Sequence, residues 1–95
     1  MTVSRLRKKA PKSVASRFEV FLTIDGERKY QDTLTDRVLS IGEEILLLQE
    51  YATRAREVWT EDFEYPEAEA LEDIRKLAAI ALRCLEHHGA PKREA

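Results

Sequence analysis

The sequence predicts an all-α fold: a helical hairpin of two long antiparallel helices plus a shorter N-terminal helix, completed by oligomerisation. Three observations predict it. Apolar residues recur at helical spacing through residues 41–59 and again through 69–89. The connection between those stretches is short, which makes the two helices antiparallel neighbours. A chain of 95 residues forms one domain with a single, marginally stabilising core, so association of subunits is expected. The expected organisation is a basic arm over residues 1–13, a helical domain over 14–89 and a tail over 90–95.

The arm carries Arg5, Arg7, Lys8, Lys9 and Lys12, with Arg17 beyond it, and no acid lies within residues 1–17. A charge block of this kind is usually a solvated tail. Its functional alternative is contact with nucleic acid or an acidic partner. Without interleaved aromatics such binding would be salt-sensitive and blind to sequence.

Residues 14–32 carry two competing patterns. Phe18, Val20, Leu22 and Ile24 alternate, and Asp25-Gly26 is a hairpin dipeptide. Val14, Phe18, Phe21, Leu22 and Asp25 also share one helical face. The polar run Glu27 to Asp32 makes a better helix surface than a second strand. Gly26 costs that helix about 1 kcal/mol relative to Ala.

Residues 33–39 form a connector. Ser40-Ile41-Gly42-Glu43 then has the capping-box pattern, in which a serine hydroxyl and a glutamate satisfy the free amides of a helix start. From there Ile41, Ile45, Leu48, Ala52, Ala55 and Trp59 recur on one face, with Leu46, Leu47, Tyr51 and Val58 beside it. Residues 60–65 are an acidic loop. Pro66 suits the first turn of the last helix, where Glu67 and Glu69 complement the helix dipole. Leu71, Ile74, Ala78, Ala81 and Leu85 define its apolar face, and Leu77, Ile80, Leu82 and Cys84 widen it. That breadth calls for helical neighbours on more than one side. Gly89 and Pro91 mark its end.

The net charge of −2 argues against a general nucleic-acid binder, although residues 57–73 hold eight acids and no base. Cys84 is the single cysteine, so no intrachain disulfide forms and a reducing compartment fits. There is no apolar signal region behind the basic start and no run long enough to span a bilayer. The expected location is cytoplasmic, with no membrane partner.

Three groups of residues could carry chemistry. Glu43 and Glu44 open one long helix, and Glu72 and Asp73 open the next; their plainer account is dipole complementation. Cys84, His87 and His88 fall short of the four ligands that a structural zinc requires. Arg54, Arg75 and Arg83 are candidate phosphate contacts, since a guanidinium can clamp phosphate at two points.

The runs Glu27 to Asp32, Ile41-Gly42-Glu43-Glu44-Ile45 and Ile74 to Gly89 resemble small phage and prophage proteins related to the MazG-like all-α nucleotide pyrophosphohydrolases. The resemblance covers residues 18–93. It implies a helix over residues 14–32 and assembly into a dimer or tetramer. It also implies a Mg²⁺ site built from a Glu-Glu-x-x-Glu run and a later Glu-x-x-Asp run, where metal-assisted hydrolysis splits a nucleoside triphosphate. Glu43 and Glu44 match the first two positions, but Leu47 stands at the third. Asp73 stands for the later Glu, and Lys76 replaces the final Asp. A register shift by one puts Glu72 first and Arg75 last.

The resulting expectation is a non-catalytic accessory or binding protein without a cofactor, in which Lys76 takes the metal's place among Glu43, Glu44 and Asp73. It would self-associate, bind a further protein partner, and have nucleotide as a candidate ligand. The alternative is a Mg²⁺-dependent pyrophosphohydrolase with a rearranged site of Glu43, Glu44, Glu50 and Asp73. A third reading is nucleic-acid binding through the arm.

Overall fold

The computed structural model describes residues 14–61 and 64–94. The basic arm of residues 1–13 therefore lies outside the described residues. Three helices make the fold: α1 (Arg17–Asp32), α2 (Ile41–Glu61) and α3 (Pro66–His88). The all-α class with two long helices packed on each other is thus the one the chain adopts. No described helix is long and apolar enough to cross a membrane.

The competition over residues 14–32 is resolved in favour of a helix, which starts only at Arg17 and leaves Val14 outside it and exposed. Ser16 closes a capping box: its hydroxyl accepts from the Glu19 amide at 3.1 Å, and its own amide donates to the Glu19 carboxylate at 2.8 Å. That contact holds the Glu19 pKa below the usual carboxylate range, chiefly through the Ser16 amide. Helical spacing brings Ile24, Glu27, Arg28 and Gln31 to one side, where α1 meets α3. A hairpin would have split that set between opposite faces.

The Ser40 capping box forms as its pattern predicts. Glu43 N–H donates to Ser40 Oγ at 3.1 Å, and Ser40 N–H donates to Glu43 Oε1 at 2.8 Å. α2 runs through Glu61, so it takes in Thr60 and Glu61 of the expected loop. α3 starts with Pro66 in its first turn and ends at Gly89, whose φ of 114° suits glycine.

α3 is the central element. α1 and α2 each pack against it and not against each other. The hairpin is antiparallel, because Glu44 near the start of α2 meets Arg83 near the end of α3. His88 Nε2 lies 2.7 Å from the Leu39 carbonyl oxygen. That oxygen can only accept, so Nε2 carries the proton.

Two expectations about faces need correction. Ile41, Ile45 and Trp59 are exposed; α2 turns Glu44, Leu47, Leu48, Tyr51, Ala55 and Val58 inward instead. On α3, Leu71, Ile74 and Leu85 are also exposed. Among the described residues the buried set is Ala68, Ala70, Ala79 and Ile80 together with Arg28, Gln31, Glu44, Asp73 and Arg83. The reason lies in the breadth of the apolar arcs. Each long helix has more apolar surface than one neighbour covers, and the polar anchors decide which side faces inward.

Candidate functional site

The most enclosed polar group in the described chain is Glu44, with no exposed surface. It sits in the first turn of α2, where the capping box of Ser40 and Glu43 sets the helix start. Arg83 reaches it from the last turns of α3. Arg83 Nε donates to Glu44 Oε2 at 2.8 Å and Nη2 donates to Oε1 at 2.5 Å. This fork–fork geometry occupies both carboxylate oxygens and is the strongest form of such a pair. Hydrogen bonding to Glu44 raises the Arg83 pKa, against the opposing effect of burial.

A cavity of about 190 Å³ adjoins the pair, lined by Gln31, Thr35, Tyr51 and Arg83 with apolar walls that include Leu47 and Ile80. Gln31 is itself buried. Its Nε2 donates to the Lys76 carbonyl at 3.1 Å, and its Oε1 has no partner. Further along α1, the buried Arg28 bonds Glu86 at 3.1 Å and also pairs with Asp32. Burial works against the Arg28 charge, but Asp32 and Glu86 outweigh it and its pKa rises.

The other residues singled out by sequence are dispersed. Glu43 faces Arg37, with contacts of 2.7 and 3.2 Å. Glu50 pairs with Arg54 at 2.7 Å. Asp73 is buried on α3. Among the described residues no three His, Cys, Asp or Glu side chains are grouped to hold a metal ion. Arg54 also stacks 4.9 Å from the centre of the Tyr51 ring, and Arg75 binds Glu27 at 3.0 Å. All three candidate phosphate contacts, Arg54, Arg75 and Arg83, therefore already hold a carboxylate. Cys84 is a half-buried free thiol.

The cation at Glu44 is Arg83 and not Lys76. Lys76 Nζ lies 5.9 Å from the centre of the Tyr51 ring. The hairpin register explains both placements. Glu44 faces Arg83, Leu39 faces His88 and Tyr51 faces Lys76, and the residue numbers in each pair add to 127. Lys76 and Arg83 are seven residues apart, about 10.5 Å along the helix.

No protein-family model, no curated protein sequence and no solved structure matches the chain. The geometry is therefore the basis for a functional reading.

Proposed function

We propose that the chain is a non-catalytic, small helical accessory or binding protein of the MazG-like, phage-related type, working in the cytoplasm. One observation carries the reading. Glu44, which occupies the second position of the metal-binding run that the resemblance implies, gives both oxygens to Arg83 at zero exposure. A divalent cation would have to displace a guanidinium already held at two points and leave it buried without its partner. An internal cation thus supplies the charge that a metal supplies in an enzyme of that type. The lone, half-buried Cys84 supports a reducing compartment.

The test is a calorimetric titration of the full chain with Mg²⁺ and Mn²⁺, followed by a pyrophosphate assay with mixed deoxynucleoside triphosphates. The expected result is neither tight metal binding nor turnover. Metal-dependent pyrophosphate release would replace this reading with the hydrolase built on Glu43, Glu44, Glu50 and Asp73.

A further inference from the structure

Gln31 is a costly residue to bury. It sits in the last turn of α1 at 6% exposure, and its Nε2 donates to the Lys76 carbonyl at 3.1 Å. That carbonyl lies inside α3, where its first lone pair takes the helical bond from the Ile80 amide, so Gln31 uses the second. The other end of the same amide, Oε1, has no partner. A buried acceptor left unmade is destabilising, and a methionine would fill the space without one. Gln31 also lines the cavity of about 190 Å³ beside the Glu44–Arg83 pair. Oε1 is therefore the atom that an occupant of this cavity would satisfy.

We infer that the cavity binds a small neutral molecule of the phenol class, whose hydroxyl donates to Gln31 Oε1. The size fits. An apolar cavity of about 150 Å³ takes one benzene, so about 190 Å³ holds one six-membered ring with a small substituent. Leu39, Leu47 and Ile80 supply apolar walls for the ring, and Tyr51 supplies an aromatic one. The charges set aside other classes. Arg83 already holds both oxygens of Glu44, so the pair offers no free charge to an anion, which would also meet the acceptor Oε1. A cation would meet Arg83, with Arg54 and Lys76 beside the Tyr51 ring at 4.9 and 5.9 Å from its centre. A neutral hydroxyl suits both constraints. Water can supply the same donor, but it gains nothing from the apolar walls.

The fold also supplies an entrance. One wall of the cavity is built by Leu34, Thr35 and Leu39, which belong to the connector between α1 and α2. Leu34 is 66% exposed, so a ligand can enter on that side without parting α2 from α3. Such binding needs neither a carboxylate cluster nor a phosphate contact. The inference goes beyond the functional reading above and stands whether or not the chain hydrolyses a nucleotide.

The experiment is a titration of the full chain with phenol and, separately, with benzene, read residue by residue in the amide NMR spectrum. Phenol should saturate with a dissociation constant on the order of 1 mM, within the range open to very small ligands, and shift the amides of Gln31, Thr35 and Tyr51. Benzene, the same ring without a donor, should bind about tenfold more weakly. Gln31→Met keeps the side-chain length and removes the acceptor, so the two affinities should come within about twofold of each other. Thr35→Phe, which narrows the cavity from the connector, should weaken both ligands by about tenfold or more. That second variant keeps the test readable if Gln31→Met fails to fold. Phenol that causes no saturable shift, or that binds the parent no tighter than benzene, overturns the inference. So do shifts that centre on Phe21 and Leu82, in the crevice between α1 and α3, or a preference for phenol that Gln31→Met retains.

Discussion

Arg83 and Glu44 form a two-point ion pair that closes the hairpin from inside, with Nε to Oε2 at 2.8 Å and Nη2 to Oε1 at 2.5 Å. Because the pair is buried, its partners depend on each other more than the fold depends on the pair. Removing one leaves an uncompensated buried charge, costing about 3–5 kcal/mol, whereas an apolar replacement of both is often neutral or stabilising. Arg83→Met alone should therefore lower stability by about 3–5 kcal/mol. Adding Glu44→Leu should return it to within about 1 kcal/mol of the parent. Denaturant unfolding of the four members of this cycle, compared at one slope, measures both. A cost below about 1 kcal/mol for the single variant would show that the buried charge is not what the pair protects.

Acid sensitivity should arise at the entrance to α2. The Arg37 guanidinium, with the Ser40 amide, holds the Glu43 pKa at about 2 against an ordinary 4.5. Folding lowers this pKa, so the contribution is complete above 4.5 and is lost as pH falls through about 2. The stability difference between the parent and Glu43→Gln should shrink across that window. In Arg37→Ala, the Glu43 carboxyl signal followed by NMR should titrate at higher pH. Both groups are solvent-exposed, so added salt should weaken the effect. A Glu43 midpoint that is the same with and without Arg37 would remove the argument.

The all-α class, the Ser40 capping box, Pro66 and Gly89 were legible because they depend on local chemistry within a turn or two. The identity of the cation at Glu44 was not, because matching positions to a family's ligand pattern pointed to Lys76. The antiparallel register places Tyr51 opposite Lys76 and Glu44 opposite Arg83. Knowing the centre of the loop would have revealed this without any family comparison. The inward sides of the helices were hidden for a different reason. Ile45 and Leu48 on α2, or Ile74 and Leu77 on α3, serve equally well as apolar inward residues. Only the long-range polar contacts of Glu44, Arg28 and Gln31 rotate each helix to one choice.

Two glycines should respond to alanine in opposite directions. Gly26 lies in mid-α1, and a β-carbon there would meet nothing within 4 Å. Gly26→Ala should stabilise the protein by about 0.8–1 kcal/mol, the helix-propensity difference, and raise the thermal midpoint by about 4–8 °C. Gly89 has φ of 114°, a conformation that L side chains rarely adopt. Gly89→Ala should cost about 1 kcal/mol by straining the end of α3. Paired thermal melts decide both, and a Gly26→Ala chain no more stable than the parent would mean that α1 is not set by its own propensity.

Gln31 offers the sharpest test of the joint between α1 and α3. Its Nε2 donates to the Lys76 carbonyl, while Oε1 is buried without a partner beside the cavity of about 190 Å³. An unsatisfied buried acceptor costs about 1–3 kcal/mol, and the hydrogen bond on the other side of the amide returns about 0.5–1.5 kcal/mol. Methionine has similar length and no polar atom to strand, so Gln31→Met should be neutral or stabilising by up to about 1 kcal/mol. Gln31→Glu should be destabilising, because it sets a carboxylate against the Lys76 carbonyl oxygen in a buried position. Chemical denaturation of the two variants separates them. A Gln31→Met chain weaker than the parent by about 2 kcal/mol would show that a water in the cavity satisfies Oε1, since methionine would then discard two hydrogen bonds instead of one.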